Sequence, residues 1–443
     1  MKIHCIGIGG IGVSALARYY LARGDEITGS DLGQTEIIED LKKLGAKIKT
    51  GRHQASHVPK DVGMVIYSAA VQDDNPELQQ ARLIEKKRAL PILTYAQALG
   101  QVTRDHFTVT VSGTHGKSTT VSMLSLILVE AGLDPTVIIG TKLKAFGNSN
   151  FRLGRSRYFI IEADEWQGSF LNYHPEMIVL TNIEEDHLDY YRDLDHIVDT
   201  YQEYLGRLSP EGTLVFNQDD RNIIHLLSRV RIKNKAPFSL NQQEAEKIAR
   251  VIKVPGRHNI SNALAALTAA RALGVSDEVS YKAISHYYCC WRRFDQRRGK
   301  LDKTTFTLIH DYAHHPTEVK ALFQALEERF ENRRIWFIFQ PHQYQRVFYF
   351  FDRFVEAFQN GKEGRNDYRV IITDIYDVPG RERASLSRKV NAEKMVQAIG
   401  RDNTLYWPFG QLSQKLSQEL AKDDIVVAVG AGDIYQWAVK LDP

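Results

Sequence analysis

Short runs of β-prone apolar residues alternate along the whole chain with stretches whose apolar positions recur at helical spacing. Lys2–Ile8 reads as a strand, followed by glycines and a helix over Val13–Arg23. Glu26–Gly29 is strand-like, Thr35–Lys43 helical, and Met64–Tyr67 a buried strand ending at Ser68. A second cycle opens with Phe107–Ser112, a glycine loop and a helix from about Ser118 to Ala131. Strands Tyr158–Ile161 and Met177–Leu180 follow, then an alanine-rich helix over Asn262–Leu273. The third cycle has strands Phe306–Ile309, Ile335–Phe339, Arg369–Thr373 and Ile425–Val429, with a helix over Thr317–Arg329. Strands alternating with helices predict βαβ units and mostly parallel sheets, hence an α/β fold. Charge and glycine at Arg297–Lys303 interrupt the apolar pattern and place a domain boundary there.

Length agrees with three cycles, because 443 residues at about 150 per domain suggest three domains. Hydrophobic residues make up 43% and charged residues 25%, ordinary for a soluble globular protein. With 57 basic and 54 acidic side chains and no basic block, nothing points to nucleic acid. Three cysteines (Cys5, Cys289, Cys290) are too few and too oddly spaced for a disulfide framework or a zinc site. The first residues lack the charged start and cleavage site of an export signal, and no run of about 18 apolar residues exists to enter a membrane. The expected compartment is a reducing cytoplasm.

The chemistry concentrates in loops after strands. Gly113-Thr114-His115-Gly116-Lys117-Ser118-Thr119 follows a strand and opens a helix, where small residues let backbone N–H groups approach an anion. Lys117 can then reach terminal phosphates, and the Ser118 hydroxyl can bind Mg²⁺. Full Walker spacing asks for glycine at position 111, occupied here by Val111, so the loop is a shortened one. Glu162 and His187 stand after successive strands, where carboxylate and imidazole can hold Mg²⁺ with a substrate phosphate, although imidazole is an unusual magnesium ligand. Gly7-Ile8-Gly9-Gly10-Ile11-Gly12 after the first strand, with Asp31 about 20 residues later, predicts a pyrophosphate site. It does not choose between a redox dinucleotide and a UDP-linked sugar. Asn259 and Asn262, at the start of the alanine-rich helix, can read a base edge or simply cap the helix. His310–Glu318 and Gln340–Arg346 form two polar turns after successive predicted strands, suggesting one substrate-facing edge.

Taken in order, these stretches resemble the Mur ligase family from end to end. The resemblance is carried by Ile6–Ala17, Tyr67–Val71 with Asp74–Glu77, Gly113–Lys117, Glu162–Glu165, Thr181–Glu184 with Asp186-His187, Gly256–Asn259, Arg292–Phe294, Asp311–Glu318 and Gly430–Asp433. It implies three α/β domains. Residues 1–104 would be a Rossmann-like domain binding the UDP of the substrate, through Gly7, Gly9, Gly10, Gly12, Asp31 and Ser68. Residues 105–299 would be a central P-loop ATPase-like domain binding ATP and Mg²⁺, and 300–443 a Rossmann-like domain bringing an amino acid. Gly113–Thr119 would bind ATP, with Ser118, Glu162 and His187 on the metal, Asn259 and Asn262 at the adenine, Asp311 at the ribose and Arg293 at the phosphates. Tyr312, His314 and Arg346 would lie near the amino acid and the reacting carboxyl.

Family members that add later residues use a carbamylated lysine downstream of the Asp-His pair. No lysine occurs between Lys144 and Lys233, which agrees with the first step, joining L-alanine to UDP-N-acetylmuramate. The family usually has arginine where Gln343 stands, and Trp166-Gln167-Gly168 replaces a more polar stretch; both bear on amino-acid choice. The implied reaction is ATP-dependent amide formation through an acyl phosphate, with Lys117 binding phosphate and His187 or His314 taking the ammonium proton, in a monomer or dimer. Alternatives are a relative joining another amino acid or a peptide, a nicotinamide-dependent oxidoreductase, and a non-catalytic nucleotide-binding module.

Overall fold

The structure is a computed structural model that describes residues 1–360, 364–378 and 386–442. Its strands form three sheets. The first contains β1 (Lys2–Ile6), β2 (Glu26–Asp31), β3 (Lys47–Thr50), β4 (Met64–Tyr67) and β5 (Ile92–Thr94), in the order β3-β2-β1-β4-β5, all parallel. The second contains β6 (Phe107–Ser112), β7 (Thr136–Leu143), β8 (Ser149–Arg152), β9 (Tyr158–Ala163), β10 (Met177–Leu180), β11 (Thr213–Asn217) and β12 (Asn234–Phe238). Its order is β12-β11-β10-β6-β9-β7-β8, with only the β7–β8 pair antiparallel. The third contains β13 (Asp295–Leu301), β14 (Thr304–Asp311), β15 (Arg334–Phe339), β16 (Asp367–Ile372), β17 (Thr404–Tyr406) and β18 (Ile425–Val429), ordered β13-β14-β18-β15-β16-β17. Only β13 runs antiparallel there.

Parallel strands covered on both faces have no polar side, so they read as continuous apolar runs. In β15, Ile335, Phe337 and Phe339 enter one core while Trp336 and Ile338 enter the other, as the two-residue period of a strand requires. The expected boundary near Arg297–Lys303 falls inside the β13–β14 hairpin. Arg297 pairs with Leu308 and Gly299 with Phe306, so the charged, glycine-containing stretch is an edge strand of the third sheet. Residues 299 and 300 therefore lie within one hairpin of the third sheet. β9 extends two residues beyond Ile161, which puts Glu162 within the strand rather than after it.

The described chain divides into two compact units. One holds Met1–Ile183, Val198–Val251 and Asn262–Ser285, and the other Glu184–Ile197, Ile252–Ser261 and the residues from His286 onward. Within the first unit, the helix Ile11–Ala22 packs on the β7–β8 hairpin. Asn150 Nδ2 donates to Ile11 O (2.6 Å) and Ser14 Oγ (2.9 Å), and Lys142 pairs with Glu36 at 2.8 Å. Among the described residues no helix is long and apolar enough to cross a membrane. All three cysteines are free thiols, with Cys5 buried as its apolar neighbours lead one to expect.

The first sheet also buries a carboxylate. Glu77, on the helix Pro76–Glu85, is fully buried and accepts from His4 Nε2 (2.8 Å), Ser30 Oγ (2.7 Å), His53 Nδ1 (3.0 Å) and His57 Nδ1 (2.9 Å). Burial alone would raise its pKa, but these hydrogen bonds outweigh it and bring the group down to about 2. One side chain thus ties β1, β2, the His53–His57 loop and a helix together.

Candidate active site

Register decides which loops meet. In the first sheet Ile6 pairs with both Ser30 and Tyr67, and Tyr67 with Thr94. Gly7, Asp31, Ser68 and Tyr95 therefore leave one carboxyl edge together, the edge where open parallel sheets bind ligands. Gly7 has φ +74°, and a Cβ there would stand 3.0 Å from Ser68 Cβ, so glycine is required. Asp31 Oδ2 accepts from Gly9 N–H at 2.8 Å. Gly7, Gly9, Gly10, Gly12, Asp31 and Ser68 are thus brought to one edge, and Asp31 braces the loop itself.

In the second sheet Ser112 pairs with Ala163 and with Leu180, so the loops after β6, β9 and β10 share an edge. The Gly113–Gly116 loop is closely packed. A Cβ on Gly113 (φ +130°) would fall 2.1 Å from Thr181 Oγ1, and one on Gly116 (φ +84°) 2.2 Å from Asn262 Oδ1. Thr114 N–H donates to Asn182 O (3.0 Å) and His115 N–H to Asn182 Oδ1 (2.8 Å). Lys117 begins the helix Lys117–Glu130, and its ammonium donates to Gly113 O (2.6 Å), Thr114 O (3.2 Å) and Glu165 Oε2 (2.8 Å). Burial disfavours its charge, but Glu165, Asp164 and Glu162 more than compensate and raise its pKa, so Lys117 is a cation. The buried Glu165 is a member of this site that the sequence does not single out, because Glu162, Asp164 and Glu165 look alike in one dimension. Glu162 Oε1 accepts from Gly140 N–H at 2.7 Å, while the Ser118 hydroxyl makes no hydrogen bond to the described residues.

The third sheet sets Asp311, Val429 and Phe339 in register across β14, β18 and β15. The two polar turns leave the same carboxyl edge on either side of β18, and His314 of one reaches His342 of the other, with ring centroids 6.1 Å apart. Both carboxyl oxygens of Asp311 accept backbone N–H groups, from Phe294 and Ala313 at 2.8 Å each. They hold a turn in which Arg292 (φ +60°) and Phe294 (φ +51°) occupy the left-handed region. Burial pushes the Asp311 pKa up to about 6 against the pull of Arg293. Asp311, assigned to a ribose by resemblance, thus has a bracing role here. Glu318 does similar work: its Oε2 accepts from His314 N (3.0 Å) and His315 N (3.3 Å), and its Oε1 from Arg293 Nη1 (3.2 Å). It stands three residues after His315, the spacing of a capping box, which was the available signal.

His314 Nδ1 lies 3.1 Å from both Tyr312 O and Glu318 Oε2. With two oxygen acceptors there, the proton sits on Nδ1 and Nε2 carries the lone pair. Burial lowers the His314 pKa, so the ring is neutral at neutral pH. The Tyr312 ring packs under Arg292 and Arg293, whose guanidinium carbons are 4.6 and 5.1 Å from its centroid.

Arg346, which the resemblance sets near the reacting carboxyl, lies in an ion pair of its own chain. It is buried and donates to Asp186 Oδ1 from Nε (3.3 Å) and Nη2 (3.0 Å), and to Gln343 Oε1 from Nη1 (3.2 Å). A buried guanidinium needs a counter-charge, and Asp186 supplies it. Burial would raise the Asp186 pKa, but Arg346, aided by His187, His315 and His314, holds it well below the carboxylate range. Asp186 also caps His187 N–H at 2.7 Å, fixing a turn in which His187 has φ +52°. Asp186, His187, Gln343, Arg346 and Tyr349 line one shallow pocket in the second unit. Asn259 turns its amide back to Pro255 O (2.6 Å), a cap-like bond at the start of the helix Arg257–Ala272, whereas Asn262 packs against the Gly116 loop.

Family models match in the same order as the three sheets: the Mur ligase family catalytic domain over residues 2–107, the Mur ligase middle domain over 111–270, and the Mur ligase glutamate ligase domain over 292–432. The chain belongs to the Mur ligase family, whose members here are three-domain α/β enzymes. It is 39% identical, over 98% of its length and 94% of the relative's, to the UDP-N-acetylmuramate–L-alanine ligase of Acetivibrio thermocellus. It is 35% identical, over 99% and 97%, to that of Hydrogenovibrio crunogenus. The crystal structure of UDP-N-acetylmuramate-alanine ligase MurC from Thermotoga maritima superposes with a TM-score of 0.79 at 26% identity, covering 100% of this chain and 98% of that one. A murein peptide ligase from Psychrobacter arcticus shares the fold, with a TM-score of 0.72 at 20% identity, covering 100% and 98%.

Proposed function

We propose that this chain is an ATP-dependent ligase that joins L-alanine to the carboxylate of UDP-N-acetylmuramate, a step in building peptidoglycan precursors, in the cytoplasm. Identity of 39% and 35% over almost the whole length of two ligases of that name carries the reading, and the Lys117 loop gives it a chemistry. Residues 1–104 take the UDP moiety on the Gly7–Gly12 edge. The segment from 105 to the start of β13 takes ATP at Gly113–Thr119, with Asn259 and Asn262 at the base, and the remainder brings the amino acid.

A carboxylate resists attack by an amine because it is an anion. Transfer of the γ-phosphoryl group makes it an acyl phosphate and releases ADP. Two anions must meet for that step, so fixed positive charge is needed, and Lys117 with the positive end of the helix it opens provides it. The alanine amine then attacks the acyl carbon, phosphate leaves, and the ammonium proton passes to a base. His314 suits that role through its Nε2 lone pair; Tyr312 and Arg293 flank it, and the Arg346–Asp186 pair holds the His187 turn. Ser118 and Glu162 offer hard oxygen donors that fit Mg²⁺ better than the imidazole of His187 does. When bound, Mg²⁺ offsets the charge of the phosphates.

The test is phosphate release with UDP-N-acetylmuramate, ATP, Mg²⁺ and a panel of amino acids. Release with L-alanine alone supports the reading. Release only with another amine points to a sister activity and draws attention to Gln343 and Trp166. His314→Gln is expected to lower kcat by roughly a hundredfold or more, the usual contribution of a general base. Because burial lowers the His314 pKa, the acidic limb of the wild-type profile should lie below the ordinary imidazole value of about 6.5. An acidic limb unchanged in His314→Gln would remove it from the mechanism.

A further inference from the structure

Tyr95 follows β5 directly and leaves the same carboxyl edge as Gly7 and Ser68, since Thr94 pairs with Tyr67 and Tyr67 with Ile6. Its ring lies across the last glycine of the fingerprint. A Cβ on Gly12 would stand 2.8 Å from Tyr95 Cζ, 2.9 Å from Cε1 and 3.1 Å from Cε2, so the hydroxyl end of the ring covers the loop. Glu162 and Asp164, at the end of β9, act on that hydroxyl electrostatically. Tyr95 thus stands between the pyrophosphate edge of the first sheet and the acidic turn beside Lys117, all within one unit. The ring is half-buried, and among the described residues its hydroxyl has no hydrogen-bond partner. A phenol at such a position ordinarily finds a partner.

We propose that Tyr95 is a substrate-binding residue whose hydroxyl donates to an anionic oxygen of the nucleotide-sugar, where that substrate passes from the Gly7–Gly12 loop toward the Lys117 loop. The proposal rests on the ligase reading above. A neutral hydroxyl can donate there without drawing the charge of Glu162 or Asp164, whereas another carboxylate would repel the substrate. The ring shields the Gly12 backbone on one side while the hydroxyl addresses the ligand on the other, which explains why glycine and tyrosine face each other here.

Tyr95→Phe keeps the ring and removes only the donor. In steady-state assays of the full chain, KM for UDP-N-acetylmuramate should rise about tenfold, as expected for a lost hydrogen bond to a charged group. KM for ATP and the melting temperature should not change. An unchanged KM for the nucleotide-sugar overturns the proposal, whatever happens to kcat. A melting temperature lowered by several degrees also overturns it, by showing that the hydroxyl serves the fold. If the wild-type chain releases no phosphate in this assay, the ligase reading fails instead. Calorimetric Kd values of UDP-N-acetylmuramate for wild type and Tyr95→Phe then decide the role of Tyr95 separately.

Discussion

Lys117→Ala should reduce ATP-dependent amide formation by roughly three orders of magnitude or more, the scale set by losing a preorganised charge from a phosphoryl-transfer site. The ammonium is already held at the loop by Gly113 O, Thr114 O and Glu165, which take all three of its hydrogens, so it grips phosphate by giving up at least one of these partners. The same pairing complicates the single variant. Removing Lys117 leaves the buried Glu165 without its cation, which costs stability on the order of 3 kcal/mol. Lys117→Ala combined with Glu165→Gln removes both charges. The double variant should recover most of the melting temperature and none of the turnover. Near-normal phosphate release by that folded double variant would show that the loop does not grip a triphosphate.

The second large effect concerns stability. Glu77→Gln should destabilise the chain by about 3 kcal/mol, because an amide nitrogen cannot accept the imidazole and hydroxyl hydrogens that converge on the carboxylate. The pH dependence carries the diagnostic. Glu77 has a folded pKa of about 2 against an ordinary 4.5, so it contributes stability that is complete above about pH 4.5. That contribution disappears as pH falls toward 2, and it amounts to about 3 kcal/mol. Urea unfolding of the wild type should therefore lose stability steeply between pH 5 and pH 2 (the range follows from the two pKa values). Glu77→Gln should flatten that limb. Parallel acid limbs in the two proteins would show that the histidine cage does not bind the ionised form preferentially.

Much of this protein could be read in one dimension. Apolar runs with β-branched residues located β1, β6, β10, β15 and β18 to within a residue or two, since strands buried on both faces leave a continuous signature. The glycine loops are equally legible, because the positive φ values of Gly7, Gly113 and Gly116 strongly favour glycine. Short strands such as β3, β5 and β17 escaped: three or four half-exposed residues carry no periodicity that separates them from loop. The Arg297–Lys303 stretch reads as an interruption, although it forms strand, because an edge strand carries charge on its open side.

By itself, then, the sequence determined the class of fold, the family, and the loops in which phosphate chemistry must sit, because those depend on local backbone freedom and on residue type. Only the tertiary structure decided which carboxylate serves which partner. Glu165 holds Lys117, Asp186 holds Arg346, Asp311 and Glu318 brace the histidine turn, and Glu77 gathers His4 from one segment and His53 and His57 from another. The reason is that a buried charge is tolerated only beside a counter-charge or a set of N–H and O–H donors, and those are selected by strand register across a sheet, not by neighbours along the chain.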